Sequence, residues 1–297
     1  MGQLGGGGRV TEFSVVVPAR NAADLIGAQL AALSRQRYQG NWEVVVVDNA
    51  SIDGTRETAL KFRSTLPGLR VVDAAAKSGR SYARNTGAAH ARGDYLLFVD
   101  ADDVVADGWL DAFASAATAS EAVGGKLVKF RNGTDGDPIW EPERPQPVAG
   151  SVFGFLPFAP SGNFGIRRSV FLELGGFNES IDAGEDVDLC WRLQLAGYRL
   201  HYVPDARLSV RLPSSDWGRV RTAFRDAFGV TGLYREFRGA GMPRSSARVA
   251  LHEWAAIVRQ ARPRLRSVDG ERGTWFDWVG MRAGYAVGSA AHRVLYL

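Results

Sequence analysis

Residues 93–103, GDYLLFVDADD, carry the densest chemical signal in the chain. Four apolar side chains, Leu96 to Val99, run straight into Asp100, Ala101, Asp102 and Asp103. Three carboxylates within four positions repel one another unless a cation sits among them. Hard oxygen donors suit a divalent ion. The chemistry this points to is metal-assisted handling of a phosphorylated substrate. The competing reading is an acidic turn that caps the next helix. A second acidic pair, Glu185 and Asp186, opens GEDVDLCWRL. Val187, Leu189, Cys190 and Leu193 then recur at helical spacing, so the pair stands at a helix N-terminus. The helix dipole favours negative charge there. A carboxylate in a closed cleft beside a hydroxyl is suited to general-base work.

Short apolar runs must position these groups. Residues 13–17 (FSVVV) end at Pro18, which cannot donate a ladder hydrogen bond. Residues 44–47 (VVVV) stop at Asp48, before the polar turn NASIDGT and a helix over 55–65. Residues 69–72 and 95–99 give two further strands. Between them, 22–35 place Leu25, Ile26, Leu30 and Leu33 at helical spacing, and 79–91 read as a helix. Uninterrupted apolar strands are buried on both faces. Strands alternating with helices predict an α/β fold, a mostly parallel central sheet flanked by helices. Ligands bind beyond the C-terminal strand ends of such sheets. Asp48 and the three carboxylates fall there.

The chain of 297 residues suffices for one large domain, alone or with an extension. Its one cysteine, Cys190, excludes an internal disulfide framework and suggests a reducing, cytoplasmic setting. No apolar run reaches the roughly 18 residues that cross a bilayer. The start, MGQLGGGGR, reads as a flexible tail over 1–10. Charge is uneven. Residues 1–205 hold 20 Lys and Arg against 25 Asp and Glu, whereas 206–297 hold 16 Arg against 7 acids. The basic part suits an anionic partner.

VVVPARN, VVVVDNASIDGT and ARNTGAAHARGDYLLFVDADD together resemble the nucleotide-binding half of a family-2 glycosyltransferase of the GT-A type. GNFGIRRSVFLELGGFNE and GEDVDLCWRLQLAGYRLHYVPDA resemble the acceptor half, in the same order. The resemblance implies a GT-A-like domain over 11–212, split into a nucleotide half (11–103) and an acceptor half (104–212). It also implies inverting transfer of a sugar from a nucleotide diphosphate to a carbohydrate or lipid-linked acceptor hydroxyl.

On that resemblance, Asp48 accepts the N3–H of uracil or thymine, selecting UDP- or dTDP-sugars, while Pro18, Ala19 and Arg20 line the same pocket. Arg84 of ARNTG holds the base or diphosphate, with Lys77 and Arg80 as weaker diphosphate candidates. Asp100-Ala101-Asp102 matches the DXD motif: Asp100 meets the ribose or shares the metal, and Asp102 holds Mn2+ or Mg2+ against the diphosphate. Asp103 equally suits a helix cap. Asn163, Arg167 and Arg168 match a segment flanking the donor sugar and acceptor. Asp186 matches the general base, with Glu185 beside it and Asp188 a lesser candidate. Trp191 suits a sugar-stacking platform or, better, core packing. Many relatives carry a metal-ligating His after the PDA-type segment. Here PDARLSVRLP offers Ser209 or Arg211 instead, and no His lies between His201 and His252. His201, alternating with apolar residues, reads as a strand residue.

Residues 213–297 read as a basic helical extension, with helices over 216–238, 246–260 and 275–297. AGYAVGSA in the last permits close helix packing. This aromatic, arginine-rich surface suits either packing on the catalytic domain or a second subunit, or contact with an anionic membrane. No module for nucleic acid is present. A sugar nucleotidyltransferase is the rival enzyme, but VVVPARNAAD lacks its Gly-rich basic loop. A non-catalytic sugar-nucleotide-binding subunit is the other alternative, suggested by the missing His.

Overall fold

The computed structural model describes residues 13–66, 68–132, 138–140, 146–150, 153–213, 215–244, 246–266 and 271–296. The N-terminal tail and part of the 131–165 acceptor-side stretch lie outside the described residues.

One sheet runs β3-β2-β1-β4-β8-β6-β9-β5, with β7 beside β6. The nucleotide half is parallel: β1 (Phe13–Ala19), β2 (Trp42–Asp48), β3 (Arg70–Asp73) and β4 (Tyr95–Val99). Val16 and Val45 face one side of these strands, Val15 and Val44 the other, and all four are fully buried. That double burial is why the strands read as unbroken apolar runs rather than alternating ones. On one face lie α1 (Ile26–Ser34) and α4 (Trp109–Ala117), contributing Leu30, Leu33 and Phe113. On the other lie α3 (Arg80–His90), α5 (Arg168–Glu173) and α6 (Glu185–Leu195), contributing Ala83, Phe171 and Leu189. The helix expected over 55–65 is shorter: α2 spans Thr55–Leu60 and gives way to turns.

The acceptor half reverses direction. The strand β8 (Asn163–Arg167) runs antiparallel to β4, pairing Asn163 with Val99 and Arg167 with Tyr95. Beyond it come β6 (Ala122–Asn132), which β7 (Pro138–Trp140) borders, and β9 (Leu200–Arg211), parallel to β6. The two-residue β5 (Val104–Val105) pairs antiparallel with Leu208 and Ser209 of β9. This clasp ties the segment after the three carboxylates to the end of β9, where Arg211 stands.

Three helices follow: α7 (Asp216–Phe237), α8 (Ala247–Arg266) and α9 (Glu271–Ala291). Ser215 caps α7 by accepting from Gly218 N–H. Trp191 and Val187 of α6 pack with Leu233 and Phe237 of α7 and Tyr285 of α9 in one apolar cluster. The helices α7 and α9 approach closely because α9 carries glycines at the contact. A Cβ on Gly284 would stand 2.3 Å from the Phe224 carbonyl oxygen. Among the described residues no helix is long and apolar enough to cross a membrane.

Candidate functional site

The C-terminal ends of β1, β2 and β4 open onto a cavity of about 400 Å3, lined among others by Pro18, Arg20, Asn49, Arg80, Asp100 and Asp102. Ala19 and Ala101 also line it. Asp48 sits beside this cavity, in register with Ala19, and accepts Ser51 N–H at 3.0 Å. Asp53 and Thr55 shape the turn, as the sequence suggests: Thr55 Oγ1 accepts Ala22 N–H, and Asp53 accepts Ala23 N–H. The Thr55 hydroxyl beside Asp53 holds that carboxyl below its usual range. Asn49 was not singled out by sequence. It is buried, donates to the Ala74 and Lys77 carbonyls, and accepts from Gly79 N–H. It thereby fixes the loop leading to Arg80, and Arg20 adds a hydrogen bond to Ser78.

Asp100, Asp102 and Asp103 crowd the end of β4. Burial, then the Asp100 charge, raises the Asp102 carboxyl. The same two causes, with Asp102 added, push Asp103 up to about 8. Such carboxyls favour an added cation, and oxygen donors fit a hard divalent ion. Asp103 is buried and takes a backbone hydrogen bond from Arg211. Asp102 keeps an exposed edge although protein atoms crowd its carboxyl, and Asp100 is half-buried. Among the described residues, no group of three or more His, Cys, Asp or Glu side chains could hold an ion. The buried Gln29, another residue the sequence did not flag, spans the turn: it donates to the Asp100 carbonyl and accepts from Val105 N–H.

Arg84 occupies the centre. It is fully buried, donating to Asp100 Oδ1 at 2.6 Å and to Glu185 Oε1 at 3.0 Å. Its guanidinium carbon lies 5.6 Å from the Phe177 ring centre. This corrects the expectation that Arg84 holds nucleotide. A guanidinium with no exposure and two carboxylates in its fork has its charge committed to the protein. It joins the end of β4 to the start of α6.

Asp186 faces a second cavity of about 510 Å3, shared with Glu185, Asp100 and Arg80. Its Oδ1 accepts Val187 N–H at 2.8 Å and its Oδ2 accepts Ser161 N–H at 3.3 Å. Burial, followed by the Glu185 charge, pushes the Asp186 carboxyl up to about 7. The far wall comes from the C-terminal helices, including Arg225, Asp226, Trp278 and Met281. Nothing in the local sequence around Arg225 and Asp226 marks them; only the return of α7 over α6 brings them here. Gly162 closes the floor, because a Cβ there would stand 2.9 Å from Asp100 Oδ2.

Several expected residues lie elsewhere. Asn163 is fully buried: it accepts from Trp109 Nε1 and donates to the Lys126 and Ala206 carbonyls. It ties strands together and does not flank a sugar. Arg167 stands at the opposite end of β4 from Asp100, since β8 runs antiparallel. Arg168 begins α5 at that same end, its N–H bonded to the Asp94 carbonyl. Trp191 is fully buried, its Nε1 donating to the Leu156 carbonyl, so it packs the core and offers no stacking platform. Lys77 pairs with Glu179 at 2.8 Å. Asp188 pairs with Arg192 at 2.5 Å. His201 is an exposed residue of β9 opposite Val123.

The profile of "Glycosyl transferase family 2" matches residues 14–175, and that of "Glycosyl transferase family group 2" matches 148–266. The glycosyltransferase AglE of Haloferax volcanii is 31% identical over 196 residues, covering 65% of this chain and 64% of that protein. The pre-mycofactocin glycosyltransferase of Mycobacterium tuberculosis is 30% identical over 220 residues, 69% of this chain and 44% of that protein. The chain thus spans about two thirds and under half of these relatives' lengths. Two solved structures share the fold. The mannosyltransferase PcManGT from Pyrobaculum calidifontis, in complex with GDP-Man and Mn2+, superposes with a TM-score of 0.65 at 20% identity, covering 96% of this chain and 88% of its own. S. aureus TarS 1-349, in complex with UDP-GlcNAc, gives 0.56 at 19% identity, covering 96% and 93%. With more than half its residues inside the family profile, and a GT-A-type sheet beneath them, the chain belongs to glycosyl transferase family 2.

Proposed function

We propose that this cleft transfers a glycosyl group, with inversion, from a UDP- or dTDP-sugar to an acceptor hydroxyl in glycan or glycoconjugate synthesis. One observation carries the reading. Asp186, with its carboxyl raised to about 7, borders one cavity with Asp100 and Asp103, and Asp100 and Arg80 also line the adjoining cavity that holds Asp102. A base and a diphosphate-binding cluster are then within reach of one substrate.

In this reading residues 11–103 seat the nucleotide, 104–212 the acceptor, and 213–297 extend the acceptor side. Pro18, Ala19 and Arg20 border the nucleoside, and Asp48 faces the N3–H edge of the base. Arg80, exposed and bordering both cavities, meets the diphosphate. Asp102 would be the main protein ligand for Mn2+ or Mg2+, with Asp100 partly neutralised by Arg84. That ion, when bound, offsets charge on the departing nucleoside diphosphate. Arg211 adds positive charge beside Asp102 and Asp103.

Asp186 takes the proton from the acceptor hydroxyl. The oxygen bonds to the anomeric carbon as the bond from that carbon to the diphosphate oxygen breaks on the opposite face. One such displacement inverts the centre, through an oxocarbenium-like transition state. Glu185, held by Arg84, keeps the Asp186 carboxyl raised and the base poised near neutral pH. The acceptor is a carbohydrate or a lipid-linked glycan.

A thermal-shift screen of nucleotide sugars, with and without Mn2+, tests the donor assignment. Stabilisation by UDP- or dTDP-sugars, larger with Mn2+, is expected. Equal shifts with GDP- and CDP-sugars would overturn the Asp48 assignment.

A further inference from the structure

Helix α8 has two apolar faces, and only one is covered. Its inner face packs on α9. Ala250 and Ile257 are buried there, and Trp275 Nε1 donates to the Ile257 carbonyl at 3.0 Å. Glu253, the only acid in α8, turns to Arg282 at 2.7 Å. The Arg264 guanidinium lies over the Trp278 ring. These positions, 250, 253, 257 and 264, recur at helical spacing. A second set does the same: Leu251, Trp254, Val258 and Leu265 are exposed by 71%, 38%, 73% and 44%. A helix that only packs on its own protein shows one apolar stripe and a polar remainder.

Charge says what covers the second stripe. At 100° per residue, Arg248, Arg259, Arg262 and Arg266 fall together along one flank of it. All four are exposed, and none is ion-paired among the described residues. The only carboxylate of the helix points inward. An apolar stripe about 20 Å long, continuing past Pro263 to Leu265, with a basic border matches a surface that is apolar below its headgroups and anionic at them.

We propose that α8 docks this protein on an anionic lipid surface, with Leu251, Trp254, Val258 and Leu265 among the acyl chains and the four arginines at the headgroups. The inference is independent of the transferase reading. It has a consequence for that reading: Trp278 of α9 lines both the α8–α9 crevice and the cavity of Asp186. The acceptor side then lies one helix layer from the lipid.

Co-sedimentation of the full chain with vesicles tests this. Pelleting with phosphatidylglycerol-rich vesicles, little with pure phosphatidylcholine, and weakening in high salt are expected. The double variant Leu251→Gln, Val258→Gln should lower partitioning about tenfold or more while its melting temperature and circular dichroism stay unchanged. Arg259→Ala with Arg262→Ala, which leaves the stripe intact, should lower it too and reduce the salt response. Failure to pellet with anionic vesicles overturns the proposal. So does undiminished pelleting of the folded glutamine variant. Concentration-dependent dimerisation that the glutamine variant abolishes, without vesicle binding, would assign the face to a second copy instead.

Discussion

Asp186 is raised by burial and by Glu185, and held down by the Val187 amide and Arg84. The working form of a general base is the ionised one, so activity should rise with pH through about 7. Removing the Glu185 charge takes away the second upward cause. Glu185→Gln should therefore move the acid limb of the kcat/KM profile to lower pH, which a pH–rate series reads directly. The same shift acts on stability. Because the folded carboxyl holds its proton to higher pH than the unfolded one, stability falls as pH rises from about 4 towards 7. Asp186→Asn should lessen that fall, the raised Asp102 and Asp103 carboxyls keeping their share, measured as the pH dependence of the urea midpoint. Arg84 belongs at this scale too. Arg84→Met leaves the buried Glu185 and the half-buried Asp100 without their countercharge and should cost about 3–5 kcal/mol in urea unfolding. Arg84→Lys keeps the charge and loses the fork, so its cost should be smaller.

Strands and helices decide which residues meet, and there sequence and structure part company. The parallel strands were legible because burial on both faces leaves only apolar residues. The polar ends of β2 and β4 were legible because a buried strand cannot carry Asp48 or Asp100 in its middle. Asn163 and Arg167 were not legible as structural. Both sit on β8, and only its antiparallel pairing with β4 separates the Asp100 end from the Arg167 end. Arg84 read as a ligand contact because no sequence pattern reveals that Glu185, 101 positions away, occupies its fork. AGYAVGSA announced a close helix contact, but not that Gly284 meets Phe224 of α7 or that the pair walls a cavity. Gly284→Val should force those helices apart and cost about 1–3 kcal/mol. Its acceptor KM should rise while the thermal shift given by donor stays unchanged, because the donor cavity has no lining residue from either helix.

At the scale of the molecule, the acidic-leaning front and the basic C-terminal part divide the work. In the proposed reading, the carboxylates of the front take the cation and the leaving diphosphate. The C-terminal helices, with nine more Arg than acids over 206–297, wall the acceptor cavity and carry the exposed stripe of α8. On the proposed reading, donor and cation bind beside the Arg84 tie between β4 and α6, so their binding should stabilise the whole fold. Saturating UDP with Mn2+, at about 100 times its dissociation constant, should add about 2.7 kcal/mol. A chelator, or Asp102→Ala, should remove most of that gain in a melting experiment.

The account stands or falls on the division between Asp186 as base and the Asp102 side as nucleotide site. The direct measurement is transfer and nucleotide binding in the same preparation of Asp186→Asn. Loss of transfer by several orders of magnitude, with UDP binding in Mn2+ within about twofold of the unaltered protein, is the predicted result. Transfer at near the unaltered rate, or transfer and nucleotide binding lost together in a folded variant, would contradict it.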